Sequence, residues 1–349
     1  MNRRCLSFVA AVAALVPLTQ GQVTPPEVFA KAKAAKQTWT PPRAADGRAD
    51  ISGFWSNNSA TPLERPKEFG GRAYLTDQEL AAFKKKAAEL FDGNGDAGFG
   101  DNVFQAVLEN VKGTRKGFTS TDGNTGDYSS VWTVEREFDN RTSLITDTPD
   151  GRMPAMTPEG QKRSETEAAR RFGHADGPED RRLQERCITY GSPQLTAGYQ
   201  SYYQILQTPT AVAFLTEMIH DVRVIQLDVR PHIPSAIRRW LGDSRGRWEG
   251  DKLIVDTTNY KPRAFMSISS EQLHVTERFS RADPETLKYE VTIDDPGTWT
   301  KPWSFMMLWK RTSKPVYEYA CHEGNIGLEG ILAGARAEES AAAVERQQK

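Results

Sequence analysis

Four of the five histidines in this chain lie between residues 220 and 322, each close to a carboxylate or an arginine. They are His220, His232, His274 and His322. The segments that carry them are otherwise apolar and strand-like. Burying an ionisable group is costly unless the group is paired or functional. The pattern therefore predicts a polar site formed by the C-terminal half of the chain.

General acid–base chemistry is the reaction class that these residues fit best. His220 precedes Asp221, and a carboxylate near an imidazole orients the ring and raises its basicity. Glu277 is predicted on an apolar face, where a carboxyl group becomes either an acid with a raised pKa or the partner of an arginine. Arg223 or Arg230 could stabilise a developing oxyanion. We predict His220 as the base, Glu277 as the acid and Arg223 as the oxyanion-stabilising group.

Further polar and aromatic residues are predicted to bind a ligand at the same site. These are Arg230, His232, His322, Asp228, Asp295 and Trp240. Asp228, Arg230 and His232 alternate along a loop that Pro231 and Pro234 stiffen. Such loops often carry function, although a surface loop held by Asp–Arg hydrogen bonds is the alternative. We expect His220, Arg223, Arg230, His232, Glu277 and His322 to converge on one concavity.

No cofactor is expected, and a metal ion remains an alternative. His220, His232 and His322 with Glu277 or Glu323 would supply enough ligands for zinc or iron. The chain contains no HExxH or CxxC spacing, no G-x-S-x-G elbow and no phosphate-loop motif, and its one G-x-G-x-x-G, at 93–98, follows a predicted helix and not a strand. These absences disfavour zincins, serine hydrolases with a nucleophile elbow, kinases and NAD(P)-dependent dehydrogenases.

The N-terminus has the pattern of an export signal. Arg3 and Arg4 precede an apolar core at 6–18, with small residues near Gly21 for cleavage. No later stretch is apolar enough to span a membrane, so the alternative is an uncleaved N-terminal anchor. The net charge of −1, with both signs interspersed, gives no reason to expect nucleic acid as a partner. We predict a periplasmic or secreted protein whose partner is a small molecule.

Cysteine usage agrees with export. Cys5 leaves with the predicted signal, so Cys187 and Cys321 are the two cysteines of the mature chain. In an oxidising compartment they are expected to form a disulfide, the alternative being two separate buried thiols.

Composition divides the rest of the chain into a lead-in, one domain and a tail. The predicted boundaries are a signal peptide at 1–21, a flexible lead-in at 22–50, a single elaborated β domain at 51–329 with helical or loop insertions at about 60–130 and 158–190, and a C-terminal surface helix at 330–349.

The pattern of β-branched and aromatic residues from 201 to 323, interrupted by short turns, predicts about nine antiparallel strands, each connected to the next. An open sheet of this size would leave long edges unpaired, so the fold class is mainly β, closed into a calycin-like barrel, with a β-sandwich as the alternative. In the hairpin 273–295, Phe279 faces Tyr289 and shares its face with Glu277. The opposite face pairs His274 with Asp294 and is expected to be solvated, with His274 in a structural role.

Three long segments carry a resemblance to other proteins. GRWEGDKLIVDTTNY (246–260), YEVTIDDPGTWTKPW (289–303) and YEYACHEGN (317–325) resemble a large uncharacterised group of exported bacterial proteins. This resemblance implies export and no particular activity. The G-x-W at 53–55 together with the β-meander is similar to calycin-type barrels such as lipocalins, which implies a barrel that encloses a ligand.

These observations favour a cofactor-independent acid–base enzyme, a lyase, isomerase or hydrolase. Its substrate would be a small, partly apolar hydroxylated or aromatic molecule. The alternative is a periplasmic binding or carrier protein, in which the polar groups orient a ligand without catalysis.

Overall fold

A computed structural model describes residues 39–91, 101–118, 136–195, 197–228 and 230–347. The predicted signal peptide at 1–21 and most of the lead-in lie outside these residues. The compact unit described below begins at Pro41.

The described residues contain nine strands that close into a barrel in chain order. The strands are β1 (Gly53–Ser56), β2 (Tyr202–Gln207), β3 (Ala211–Thr216), β4 (Val222–Gln226), β5 (Asp243–Glu249), β6 (Lys252–Thr258), β7 (His274–Asp283), β8 (Thr286–Asp294) and β9 (Trp303–Arg311). The predicted mainly-β barrel with peripheral helices is confirmed, and the sandwich alternative is not adopted.

Alternate side chains of β7 and β8 point inward and fill part of the barrel interior. Phe279 lies opposite Tyr289 and Val275 opposite Ile293, and all four side chains are buried together with Glu277. The two rings of the first pair stack, with centroids 4.6 Å apart. This register is the one predicted from the sequence, because only it places the apolar residues of both strands on one face.

The barrel closes through β1 and not through residues 316–323, the last strand of the predicted 201–323 meander. β1 pairs with β2 on one side and with β9 on the other. The segment after β9 forms no strand. It is held instead by a disulfide at Cys321 and by a hydrogen bond from the Tyr317 amide to the Glu217 carboxylate.

One join in the barrel departs from the predicted antiparallel pattern. β4 and β5 are parallel and share a single residue pair, Gln226 with Arg245. The loop 227–242 carries the chain back along the barrel between them, which makes a parallel pairing necessary. Gly246 allows close packing here, since a Cβ at that position would lie 2.7 Å from side-chain atoms of both Ile225 and Leu227.

Four α-helices of at least twelve residues lie among the described residues, within the predicted insertions and the tail. They are α1 (Asp77–Leu90), α2 (Asp101–Lys112), α3 (Pro158–Phe172) and α4 (Ile326–Gln347). α1 and α2 enclose a small second core that includes Phe69, Phe83, Phe104 and Phe138. None of the described helices has the length and apolarity needed to cross a membrane.

The predicted disulfide is confirmed. Cys187 and Cys321 are bonded, with their Cα atoms 5.7 Å apart. The bond ties the loop that follows residue 186 to the segment between β9 and α4.

A glycine sets how closely α3 approaches the barrel. A Cβ on Gly160 would lie 2.3 Å from the Thr298 carbonyl oxygen. We expect Gly160→Ala to lower the free energy of unfolding by about 1–3 kcal/mol, because the helix must move outward. Urea unfolding measures this change. Gly327→Ala in α4 is the matched control, since a Cβ there meets nothing within 4 Å; equal effects of the two substitutions would contradict the prediction.

Candidate functional site

The barrel interior contains a buried ion pair. Glu277 on β7 is 0% exposed, and it accepts hydrogen bonds of 2.5 and 2.9 Å from the two terminal nitrogens of Arg223 on β4. The Tyr289 hydroxyl donates a third hydrogen bond of 2.6 Å to the same carboxylate. Of the two alternatives for Glu277, the structure adopts the arginine partner.

The Glu277 carboxylate influences the protonation of both of its partners. Burial lowers the pKa of Arg223, but the nearby Glu277 carboxylate outweighs burial and holds that pKa above its usual value. Burial, followed by the Glu277 charge, raises the pKa of Tyr289 well above its usual value. Arg223 is therefore cationic and Tyr289 a neutral donor near pH 7, so neither is poised to exchange a proton.

A small cavity, the mouth cavity, lies beside this ion pair. Its lining includes Ser192, Gln194, Tyr203, Phe214, Leu241 and Trp309 in addition to Arg223 and Tyr289. Arg223 also donates a 2.8 Å hydrogen bond to the Ser192 hydroxyl. The free volume is about 20 Å³, enough for about one water molecule.

The predicted acid–base pair of His220 and Glu277 is not formed. His220 is exposed, has a φ of 45°, and its Nδ1 lies 2.9 Å from the Tyr319 carbonyl oxygen. Asp221 does not orient the His220 ring, because its carboxylate accepts hydrogen bonds from the Thr189 hydroxyl and the Tyr190 amide. Both oxygens of Glu277 are already occupied inside the barrel, so the assignment of His220 as base and Glu277 as acid is wrong.

The other predicted binding residues do not converge with Arg223. Arg230 is exposed and bonds to Asp228 at 2.7 Å, which is the surface-loop alternative. His322 is exposed beside the disulfide. The expectation of one concavity shared by six side chains is therefore wrong. The sequence does not show which side of the barrel wall each of these side chains faces.

Asp295 and Trp240 have structural contacts. Asp295 is buried and accepts hydrogen bonds from the Ser270 amide at 2.8 Å and the Thr298 hydroxyl at 2.7 Å, so it fixes the loop after β8. Trp240 is half-buried, and the Lys261 ammonium lies 4.8 Å from its ring centroid.

A second set of ionisable side chains meets on the outer face of the barrel. His232 Nδ1 lies 2.9 Å from Asp243 Oδ2, and His232 Nε2 lies 2.9 Å from Asp256 Oδ1. His274 Nε2 lies 2.6 Å from Asp256 Oδ2. We call these four residues the His–Asp cluster. Carboxylates and imidazoles alternate along the cluster. Its buried end is Asp243, whose side chain is 4% exposed, and its solvent-exposed end is His274, whose side chain is 40% exposed.

Three strands and one loop position the cluster. Asp256 lies between Arg245 of β5 and Thr276 of β7 in the strand register, which places His274 diagonally next to it. Asp243 accepts a further hydrogen bond from the Ile233 amide and lies 3.2 Å from the Arg245 guanidinium. These contacts fix Asp243, which in turn fixes the ring of His232.

The hydrogen bonds determine where the protons lie. An ionised carboxylate only accepts, so His274 carries its proton on Nε2 when it is neutral, and its Nδ1 is left as a base. That nitrogen has no hydrogen-bond partner in the described part of the chain. The hydrogen bond to Asp256 raises the pKa of His274, although burial opposes it. Hydrogen bonding from His274, opposed by burial and aided by His232, lowers the pKa of Asp256 to about 2.

Sequence reasoning found only part of this cluster. His232 was singled out and His274 was assigned a structural role beside Asp294, which is its cross-strand neighbour as predicted. Asp243 and Asp256 were missed. One feature of the sequence could have identified Asp256. It is a carboxylate at an outward position of the otherwise apolar run LIVD, in the strand that precedes the one carrying His274.

The predicted metal ligands are dispersed. Among the residues that the structure describes, the one group with ligand atoms close enough for a metal ion is His174, Asp176 and Glu339, and all three are exposed. A guanidinium nitrogen of Arg336 lies 3.4 Å from His174 Nε2, and this positive charge opposes a cation there.

Comparisons with protein-family models, curated proteins and solved structures each found no match. The resemblances to an uncharacterised exported group and to calycin-type barrels therefore stay predictions. The site has to be interpreted from its own geometry.

Proposed function

We propose that this protein is an exported acid–base enzyme in which His274 removes a proton from a small hydroxylated molecule. The observation that carries the proposal is the 2.6 Å contact between His274 Nε2 and Asp256 Oδ2, which leaves Nδ1 as a base facing solvent. The reaction class is that of a lyase, isomerase or hydrolase that needs no cofactor for its proton transfer.

Three members of the cluster have a role in this proposal. His274 accepts the proton at Nδ1 and becomes an imidazolium, and Asp256 stabilises the new positive charge. His232 holds the other oxygen of Asp256, so the carboxylate does not need to rotate when the charge appears. Thr276 and Thr292 lie on the same outer face and provide hydroxyl groups to hydrogen-bond a polar substrate.

Binding without catalysis is a second candidate, favoured by the mouth cavity. Its lining combines the aromatic rings of Tyr203, Phe214 and Trp309 with the cationic Arg223, a combination that suits a small aromatic or anionic ligand. The free volume of about 20 Å³ is too small for such a ligand. Binding there would require the loop that carries Ser192 to move.

The test compares wild-type protein with His274→Gln on a mixture of small metabolites, followed by mass spectrometry and then by kinetics on any compound that is consumed. We expect His274→Gln to reduce kcat/KM by about 10²–10⁴-fold, the usual contribution of a general base. Because the base must be deprotonated and its pKa is raised, kcat/KM should rise with pH through a midpoint above 6.5. Asp256→Asn should move that midpoint to lower pH.

His174→Gln is the matched control, because His174 is an exposed histidine that also contacts carboxylates but lies outside the cluster. It should leave the rate unchanged. The proposal fails if wild-type protein consumes no compound, or if His274→Gln turns over as fast as wild type. Saturable ligand binding without turnover would favour the second candidate.

A further inference from the structure

A cleft separate from the His–Asp cluster lies between α3 and the loop 261–270. Its volume is about 360 Å³, within the range of small-molecule sites. One side is a polar stripe of α3 at helical spacing, comprising Glu159, Lys162, Arg163, Thr166, Glu167 and Arg170. The other side is formed by Arg263 and Ser267. We call this feature the basic cleft.

Arg263 has an unused donor. One of its terminal nitrogens bonds to Glu167 at 2.7 Å, and that carboxylate is 9% exposed. Its Nε is buried, yet it has no hydrogen-bond partner among the residues that the structure describes. The side chain as a whole is 30% exposed, and its bond to Glu167 is the one hydrogen bond of the guanidinium group among the described residues, so other N–H groups of Arg263 remain for an acceptor in the cleft.

The remaining cations of the cleft divide into a structural and a free set. Arg163 has structural contacts, since it donates to the Ile268 carbonyl at 3.0 Å and to the Thr298 hydroxyl at 2.8 Å. Lys162 and Arg170 are exposed at the rim. Lys162 makes no ion pair among the described residues, and Arg170 has only a 3.7 Å contact with Asp180.

Charge and backbone geometry both suit an anionic ligand. Four cations and two carboxylates line the cleft, and Arg263 already neutralises Glu167. The chain as a whole has a net charge of −1, so this excess of positive charge is local. Arg263, Met266 and Ser267 all have positive φ, at 68°, 51° and 60°. Such strained residues concentrate where a ligand or switch is held.

We propose that the basic cleft binds a small molecule through a phosphate or carboxylate group. Arg263 would donate to the oxyanion from the side of the cleft opposite α3, and the exposed Lys162 and Arg170 would neutralise its charge from the helix side. Guanidinium groups form their strongest hydrogen bonds with these planar or tetrahedral oxyanions. The proposal is independent of the acid–base function assigned to His274.

The test is calorimetric titration of the full mature chain with inorganic phosphate and, separately, with succinate, each against sodium chloride at the same ionic strength. We expect saturable binding of at least one anion. The double variant Lys162→Gln/Arg170→Gln should weaken it by about tenfold or more, because two favourable charges are lost. Arg263 is left intact in this variant, so Glu167 keeps its partner and the fold is preserved.

Lys84→Gln/Lys85→Gln on α1 is the control for a general loss of positive charge, and it should bind as wild type does. The relative affinities for phosphate and succinate identify which oxyanion the cleft prefers. Equal binding by wild type and the Lys162→Gln/Arg170→Gln variant would overturn the proposal. So would a chloride effect as large as that of either anion, or no binding of either.

Discussion

Replacing Glu277 with glutamine is expected to lower the free energy of unfolding by about 3–5 kcal/mol, the usual effect of removing one partner of a buried ion pair. The substitution leaves the Arg223 guanidinium, 12% exposed, without the carboxylate that compensates its charge. The Tyr289 hydroxyl loses a charged acceptor at the same time. Urea unfolding followed by tryptophan fluorescence measures the change as a lower midpoint at constant slope.

The matched control is Glu290→Gln on the neighbouring strand. Glu290 faces outward and pairs with Lys288 at 2.7 Å with both side chains about a third exposed, so its loss should cost less than about 1 kcal/mol. Replacing Arg223 and Glu277 together with methionine should recover much of the stability, since no unpaired charge remains. A cost for Glu277→Gln as small as that for Glu290→Gln would show that the pair is already solvated.

The double substitution Cys187→Ser/Cys321→Ser is expected to destabilise the protein by about 2–4 kcal/mol. The two cysteines are 134 residues apart in sequence, and a cross-link that closes so long a loop removes many conformations from the unfolded chain. Denaturant unfolding with and without dithiothreitol measures the effect on wild-type protein. Dithiothreitol should not change the unfolding midpoint of the serine variant. If complete reduction of the disulfide also left the wild-type midpoint unchanged, the prediction would be contradicted.

Much of the barrel could be predicted because most of its strands pair with the next strand along the chain. Alternation along β7 and β8, with short turns between neighbours, fixes the register in which Phe279 meets Tyr289. Two features depended on contacts distant in sequence and were missed. β1 closes the barrel although it precedes β2 by nearly 150 residues, and β4 meets β5 in parallel through a long loop. Hydrophobic periodicity contains no information on either choice.

The candidate site was less predictable than the fold for the same reason. The place of Glu277 on an apolar face left an acid with a raised pKa and the partner of an arginine as two alternatives, and the choice of Arg223 as that partner depended on β4 and β7 coming together in the barrel. Asp256 and His274 meet because the register of β6 and β7 sets them diagonally, and the long connection between these two strands contains no short turn from which their pairing could be predicted. His220 illustrates the opposite error, since its position next to Asp221 suggested a base, whereas its side chain is exposed and contacts the Tyr319 carbonyl.

The single-pair join between β4 and β5 has a consequence for access to the barrel interior. Opening the wall at any hairpin would break a ladder of backbone hydrogen bonds, whereas parting β4 from β5 breaks very little. Arg223 of β4 and Leu241, just before β5, both line the mouth cavity, so this join adjoins that cavity. Separating β4 from β5 is therefore expected to open a route to the buried Arg223–Glu277 ion pair at little cost in backbone hydrogen bonds.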